Sequence, residues 1–166
     1  MSVRRPLIAG NWKMHVVGDE ADAYCAELLR LLESGGVPSA ELALFPPYTA
    51  LERVSAALAG SDVWVGAQNV HEAESGAHTG DISVAMLAGA GCGGALVGHS
   101  ERRALGETGP ALAARVRAAL DGGLRAMLAC GESLEQREAG ETEDWVAGQV
   151  REGLAEIRPD DVERFS

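Results

Sequence analysis

Five short apolar runs recur along the 166-residue chain, about 30 residues apart on average, and this repeat restricts the fold more than any other feature. The runs begin near Leu7, Leu42, Val63, Ala95 and Ala126. Each is followed by a segment whose apolar residues fall at helical spacing. Strands that alternate with helices form βα units, and the crossover helix makes consecutive strands parallel. The repeat therefore predicts an α/β fold with a parallel sheet, in a single domain over residues 1–166 with no linker.

The helical segments have recognisable start and stop signals. The first helix is predicted from Asp19 to Ser34, and Gly36 and Pro38 follow its end. Further helices are predicted from about Thr49, through Val84 and Leu87, after Pro110 at a first helical position, and around Trp145. The regular pattern ends near Pro159, so residues 162–166 fall where a sixth strand is due.

Composition excludes several classes of partner. The net charge of −11 argues against nucleic acid and anionic membranes, because both repel a negative protein. No run of about 18 apolar residues occurs, so no membrane span is predicted. Cys25, Cys92 and Cys130 are far apart and form no C-x-x-C pair, which predicts reduced thiols and no zinc site. The apolar stretch before Asn11 is too short for a signal peptide, so a cytoplasmic location is expected.

Polar side chains follow three of the predicted strands: Asn11 and Lys13 the first, His99 and Glu101 the fourth, and Glu132 the fifth. In parallel α/β proteins, side chains meet the substrate at the carboxyl ends of the strands. Histidine exchanges protons near neutral pH. Lys13 is the only lysine among 14 basic residues and supplies a compact positive charge. These strand ends are the candidate active site, although the fourth one alone is also compatible with a charged loop and a solvated histidine.

Two other possible sites are weaker. The segment Gly89–Gly94 satisfies G-x-G-x-x-G, but it follows a predicted helix and precedes a strand. A dinucleotide site needs the opposite order, because the pyrophosphate rests on a helix N-terminus. A glycine-rich turn is therefore the better interpretation. His15 and His71 show no ligand spacing, so neither a metal nor a cofactor is predicted.

Taken together, the strand-end motifs are similar to those of the triosephosphate isomerase family. They occur in the family's order and spacing and cover essentially the whole chain: Ala9–Met14, Gly66–Asn69, Gly76–Asp81, Val97–Arg103 and Cys130–Glu132. The resemblance implies a TIM (β/α)8 barrel of which only about five βα units are present, because eight units need about 250 residues. The expected architecture is an incomplete barrel, the N-terminal two-thirds of the family fold.

The resemblance also implies an activity and roles for particular residues. The family interconverts dihydroxyacetone phosphate and glyceraldehyde 3-phosphate, in glycolysis and gluconeogenesis, by proton transfer through an enediolate and without cofactor or metal. Asn11 and Lys13 would bind the small anionic substrate, with Lys13 neutralising the phosphate and the enediolate. His99 would polarise the carbonyl as a neutral imidazole, for which this family is a standard example. Glu101 and Arg102 would support the site, Glu101 beside Lys13; a proton-shuttling Glu101 is the alternative.

The polar loop that contains Gln68 and Thr79 is similar to the family's dimer loop, which enters the neighbouring subunit. A homodimer is therefore implied, and loops of this length are usually functional. Two residues depart from the family pattern. His78 stands where an aromatic residue is usual, and Cys130 lies one place after the position of the family's cysteine, so it inherits no role.

The family's catalytic glutamate, its closing lid and its last phosphate-binding glycines have no counterpart among the 166 residues. A general base contributes roughly 10²–10⁴-fold, so this chain by itself is expected to be inactive. The alternative function is a catalytically inactive fragment, or an incomplete barrel subunit that needs a complementing chain. An open sheet leaves two edges unpaired, which predicts weak stability and self-association.

Overall fold

All five predicted strands form in the structure, a computed structural model that describes residues 5–35 and 39–166. They are β1 (Leu7–Asn11), β2 (Glu41–Phe45), β3 (Val63–Ala67), β4 (Gly94–Val97) and β5 (Arg125–Leu128). Every residue of β4 is buried, as expected for a strand of a parallel sheet that is covered on both faces. The apolar runs therefore locate the strands to within one or two residues.

The helices of the described residues are α1 (Asp19–Glu33), α2 (Leu51–Ala57), α3 (Val84–Gly89), α4 (Ser100–Ala104), α5 (Gly109–Asp121), α6 (Leu134–Glu138) and α7 (Thr142–Gly153). Short 3₁₀ helices cover Tyr48–Ala50 and Pro159–Arg164. The predicted stop signals Gly36 and Pro38 lie outside the described residues. Apolar periodicity does not predict α6, because none of its residues is buried. Among the described residues, no helix has the length and apolar character of a membrane span.

The described residues divide into two compact units, of which the first runs through residue 68 and includes 86–94. In this unit β1, β2 and β3 are parallel neighbours in that order. Leu7 lies opposite Glu41, and Leu42 lies opposite Val63. This register brings the carboxyl ends of the three strands to one edge, where Asn11 and the residues after it lie.

The interior of the first unit is closely packed around Phe45. This buried ring meets Trp64 edge to face, with ring centroids 5.4 Å apart. Gly66 is required beside it, because a Cβ at this position would lie 2.5 Å from Phe45 Cε1. Ala21 and Cys25 of α1 are also buried, on the apolar face that the helical spacing predicts.

The second unit comprises residues 69–85 and 95–166. In it α5 packs against β5 and α7. Leu112, Val116 and Leu120 form the predicted apolar stripe of α5 and are all buried. Pro110 lies in the first turn of this helix, where the missing N–H costs no hydrogen bond.

The segment in line for a sixth strand, residues 162–166, lies mostly in a 3₁₀ helix instead. Asp161 explains the difference, because its carboxylate accepts a hydrogen bond from Arg158 N–H at 2.9 Å and holds a tight turn. Parallel pairing begins only at Phe165, which bridges to Ala126. A charged side chain has therefore delayed the pairing that the repeat predicts.

Candidate active site

The chain turns sharply where β1 ends. Lys13 has a φ of 52°, in the left-handed region that residues other than glycine rarely adopt. Asn11 Oδ1 accepts a hydrogen bond from Lys13 N–H at 2.9 Å, and this local turn stabilises the strained backbone. Trp12, between them, is buried, and its N–H donates to Phe45 O at 3.0 Å. These contacts hold an exposed lysine at a defined place beside the strand end.

Gln68 lies against the same turn. Its side-chain amide donates to Lys13 O at 2.8 Å and to Phe45 O at 2.9 Å. Gln68 directly follows β3, so one side chain joins the ends of all three strands of the first unit. The loop motif does not predict this contact. The sequence nevertheless holds a signal for Gln68 as a site residue. Like the other candidate residues, it comes at the end of a strand.

His99 follows β4 through Gly98 and is the N-cap of α4. Gly98 has a φ of 75°, and a Cβ there would lie 2.9 Å from Arg103 Nη2 and 3.1 Å from Leu112 Cδ1. Glycine adopts this backbone conformation without strain, and its lack of a Cβ leaves room for both neighbouring side chains. His99 Nδ1 accepts a hydrogen bond from Glu101 N–H at 3.3 Å, which caps the helix. The predicted helix start behind this histidine is present.

The cap bond indicates which ring nitrogen of His99 carries the proton. An amide N–H always donates, so Nδ1 is the acceptor and Nε2 bears the proton of the neutral ring. Glu101 Oε2 also lies 3.3 Å from Nδ1, a contact that suits a protonated ring. We assign Nδ1 as the acceptor, because the Glu101 side chain is 61% exposed and solvent weakens its contact with the ring, whereas the backbone N–H is held by the helix.

The side chain of Arg102 points to a cluster of charges behind α4. Arg102 Nε donates to Glu107 Oε1 at 2.8 Å, and Glu107 also binds Arg115. The side chains of Glu107 and Arg115 are only 8% and 11% exposed. Burial opposes the charge of Arg115, but hydrogen bonds to Glu107 and Glu72 outweigh it and raise the pKa of Arg115. Sequence patterns do not predict this cluster, because Glu107 lies between two helices and Glu72 is 43 residues from Arg115.

Arg103 joins the carboxyl ends of β4 and β5. Its Nε donates to Gly98 O at 2.7 Å, and its Nη2 donates to Ala129 O at 3.0 Å. Ala129 N–H in turn donates to Val97 O at 2.8 Å. The two strand ends of the second unit, and with them the backbone that carries His99, are held together by these bonds.

Glu132, the polar residue predicted after β5, has a nearly buried side chain. Its carboxylate accepts hydrogen bonds from Arg137 Nε at 2.7 Å and Thr142 Oγ1 at 3.4 Å. A backbone hydrogen bond and the bond from Arg137 lower the pKa of Glu132 despite burial. The carboxylate therefore stays ionised and joins the last turn of α6 to the start of α7.

Thr79 is exposed near the tip of the loop over residues 71–83 in the second unit. The backbone at His71 pairs with the far end of the loop, which closes its base. At the tip, Asp81 N–H donates to His78 O at 3.1 Å, so residues 78–81 form a turn. Among the described residues, His71, His78 and Asp81 are the set whose ligand atoms lie close enough together to hold a metal ion, within 4.8 Å of one another.

The three cysteines are free thiols. Burial raises the pKa of Cys92 to about 11, so its thiol stays protonated and unreactive at neutral pH. Burial also raises the pKa of Cys25, whereas Cys130 is exposed.

Known proteins of one family are similar to this chain over almost its whole length. The model of the triosephosphate isomerase family matches residues 6–166. The triosephosphate isomerase of Chlorobium phaeobacteroides is 44% identical over 156 residues, which are 93% of this chain and 62% of that protein. The one from Caulobacter vibrioides is 46% identical over 154 residues, covering 90% of this chain and 59% of that protein. The chain thus spans less than two thirds of the length of these relatives.

A crystal structure of triosephosphate isomerase from Bartonella henselae superposes on the chain with a TM-score of 0.85. The two are 35% identical, and the match covers 98% of this chain and 66% of that one. The predicted fold class, a partial TIM barrel made of five parallel βα units, is confirmed.

Proposed function

The chain belongs to the triosephosphate isomerase family, and from that premise we propose that it serves the interconversion of dihydroxyacetone phosphate and glyceraldehyde 3-phosphate. In this reaction a base removes a proton from the carbon next to a carbonyl, a proton passes between the two oxygens of the resulting enediolate, and the base returns its proton to the neighbouring carbon. The chemistry needs a base, an electrophile for the carbonyl oxygen and a cation for the phosphate. The proposal assigns the last two to this chain.

His99 is the proposed electrophile, and its cap bond is the observation that carries the proposal. Because Nδ1 accepts from Glu101 N–H, the proton on Nε2 is available to a carbonyl oxygen. A neutral imidazole suits this step as the donor. Its acidity is close to that of an enediol, whereas an imidazolium is a much stronger acid. The backbone bond also fixes the ring orientation before substrate arrives, which is how preorganised donors lower a barrier.

Lys13 is the proposed cation, with Asn11 holding the turn that presents it. The left-handed backbone at Lys13 is supported by Asn11 Oδ1 and by the Gln68 amide on Lys13 O. Strain of this kind persists only where neighbouring groups hold it, and it is concentrated at functional sites. Lysine provides a compact charge that can serve both the phosphate and the developing enediolate. We further propose that Glu101 and Arg102 act in support, Arg102 through its bond to Glu107.

The proposal requires further residues for turnover. Besides the residues assigned here, turnover needs a base, and the family resemblance implies that a glutamate fills this role together with a closing lid and phosphate-binding glycines. We also propose a homodimer, formed through the loop that carries Thr79 and begins at Gln68, and a cytoplasmic location. Both follow from family membership, and sedimentation and cell fractionation test them directly.

The deciding experiment combines an isomerase assay with ¹⁵N NMR of the His99 ring in the full-length protein. We expect a protonated Nε2 and an unprotonated Nδ1 at neutral pH. The variant His99→Gln should lower kcat by roughly 10²–10⁴-fold, because an amide is a far weaker acid. An unchanged kcat in this variant, or a ring with its proton on Nδ1, would refute the proposed role.

A second candidate function is an incomplete barrel subunit that is completed by another chain. One observation favours it: within the described residues β1 pairs only with β2, and Ile8, the second residue of this strand, is 56% exposed. Adding a polypeptide that comprises the last three βα units of a family member should then produce isomerase activity and protect Ile8 from solvent. Failure of that polypeptide to bind would remove this candidate.

A further inference from the structure

We propose that Gln149, a buried residue of α7, is a positioning residue for the isomerisation. It holds the loop that follows β5, residues 129–133, and through that loop it fixes the backbone that carries His99. This inference rests on the proposed function, because it gives Gln149 a part in that reaction. Gln149 is only 8% exposed, and a polar side chain is buried at little cost only where it is hydrogen-bonded.

The side-chain amide of Gln149 forms two hydrogen bonds with one residue of this loop. Gly131 N–H donates to Gln149 Oε1 at 2.8 Å, and Gln149 Nε2 donates to Gly131 O at 3.1 Å. An amide offers a donor and an acceptor in one planar group, so it pairs with a backbone as a neighbouring strand does. One side chain therefore fixes both polar groups of Gly131.

The helix that carries Gln149 is itself held close to β5. Gly153 lies one turn further along α7, and a Cβ at this position would lie 2.3 Å from Leu128 Cδ2. The absence of a side chain thus allows α7 to approach the last residue of β5. Gln149 and Gly153 are both buried and, four residues apart, lie on the same face of the helix. The packing of α7 therefore sets the position of the Gln149 amide.

Further hydrogen bonds connect the loop to the backbone of His99. Ala129, two residues before Gly131, accepts a hydrogen bond from Arg103 Nη2 at 3.0 Å. Arg103 Nε also donates to the carbonyl of Gly98, directly before His99, at 2.7 Å. A displacement of Gly131 therefore reaches the histidine through Ala129 and Arg103.

The exposure of Gly131 decides what the loss of the two bonds does. Because Gly131 is exposed, water replaces the amide when the Gln149 side chain is removed. Glu132 still attaches the loop to α7, since its carboxylate accepts from Thr142 Oγ1 at 3.4 Å. We therefore expect a substitution of Gln149 to shift the loop without unfolding the protein.

The kinetic test compares Gln149→Met with the wild type in the full-length protein. Methionine fills a similar volume but does not replace the two bonds. The kcat of isomerisation should fall about tenfold, because a small misplacement of a catalytic group slows the chemistry. KM should stay within about twofold, since Asn11 and Lys13 lie in the first compact unit. Arg151→Met, at an exposed position of the same helix, is the matched control and should leave both constants unchanged.

Nuclear magnetic resonance gives two readouts that do not depend on turnover. Exchange of the Gly131 amide hydrogen should be at least about tenfold faster in Gln149→Met, because its acceptor is gone. The ¹⁵N signals of the His99 ring should shift in Gln149→Met and stay unchanged in Arg151→Met. A loss of overall stability alone lowers the Tm and leaves the ring signals of the folded protein where they are in the wild type.

The variant Gln149→Glu separates the hydrogen bonds from the volume of the side chain. With its carboxyl protonated, it donates and accepts as the amide does, whereas the ionised form has no proton for Gly131 O. Burial raises the pKa of the introduced carboxyl. Relative to the wild type, the kcat of this variant should therefore rise as the pH falls from about 8 to about 5, and that of Gln149→Met should keep a constant ratio.

The results distinguish this proposal from the proposed function. A fall in kcat for His99→Gln but not for Gln149→Met, or unchanged His99 ring signals in Gln149→Met, would overturn the role of Gln149 alone. Parallel pH profiles of Gln149→Glu and Gln149→Met would overturn it too, because the hydrogen bonds would then not matter. If the wild type has no isomerase activity, or His99→Gln keeps the wild-type kcat, the proposed function fails and the catalytic part of this inference fails with it.

Discussion

Replacing Arg115 by methionine removes the centre of the buried charge cluster behind α4. Arg115 binds Glu107, donates to Glu72 Oε2 at 3.1 Å and donates to Asn69 Oδ1 at 3.2 Å. Methionine fills a similar volume but leaves the Glu107 carboxylate, which is 8% exposed, without its main partner. The free energy of unfolding therefore falls by the cost of leaving a buried charge without its counter-ion, and not by the smaller cost of losing a surface ion pair.

Breaking a buried ion pair from one side costs about 3–5 kcal/mol. The lower end applies here, because Glu107 keeps its bond to Arg102, whose side chain is 37% exposed. A loss of about 3 kcal/mol in the free energy of unfolding corresponds to a fall in Tm of about 6–12 °C for a chain of this size. Since Arg102 lies on α4, the loss should also loosen the helix that His99 caps.

Thermal unfolding followed by circular dichroism measures the change. Arg30→Met is the matched control, because Arg30 pairs with Glu27 on α1 and both side chains are more than half exposed. This control should leave the Tm close to that of the wild type, because an exposed ion pair contributes little to stability. The double variant Arg115→Met, Glu107→Gln should recover part of the lost stability, since the charges that then lose a partner, Arg102 and Glu72, are each 37% exposed and no buried charge remains unpaired. A Tm for Arg115→Met within about 2 °C of the wild type would refute the reasoning.

Two further predictions concern the site and the acid stability of the fold. Lys13→Arg keeps the charge but changes its shape and reach, and should lower the kcat of isomerisation by about 10²-fold in the full-length protein; near-normal turnover would contradict the role given to Lys13. Hydrogen bonds from Arg117 and Arg158 N–H lower the pKa of Asp161 to about 2. Its contribution to stability should therefore be complete above the unfolded-state pKa of about 3.9 and disappear as the pH falls toward 2. Urea unfolding across this range measures it, and Asp161→Asn should remove that part of the pH dependence; the same pH dependence in both proteins would argue against the assignment.

The sequence predicts where the residues of the candidate site lie along the chain, but not the contacts that they make. The position of His99 after β4 follows from the apolar run that precedes it, and the helix start follows from the residues behind it. The acceptor state of Nδ1 does not follow, because it depends on the distance between a side chain and a backbone N–H. Likewise, Asn11 and Lys13 are found after β1 by pattern, but the left-handed φ of Lys13 and the Gln68 amide on its carbonyl are visible only in the structure.

The helix α6 is missed by apolar periodicity, but a local capping pattern in the sequence predicts it. α6 has five residues and no buried side chain, so it carries no apolar stripe. Ser133 and Gln136 nevertheless form a reciprocal capping box at its start, and the S-x-x-Q spacing is readable in the sequence. The 3₁₀ helix over Pro159–Arg164 is different, because the Asp161 carboxylate that accepts from the nearby Arg158 N–H also pairs with Arg117, which is 44 residues away.

The sequence by itself determined the βα repeat, the bounds of the strands and the strand ends that carry the family's motifs. These are local properties, because strand and helix periodicities and turn residues act over a few positions. The tertiary structure alone decided which groups of different segments meet: Arg115 with Glu107 and Glu72, and His71 with His78 and Asp81 across a closed loop. Such contacts depend on how loops return, and the energy of a buried charge depends on the burial and the partners that only the folded chain provides.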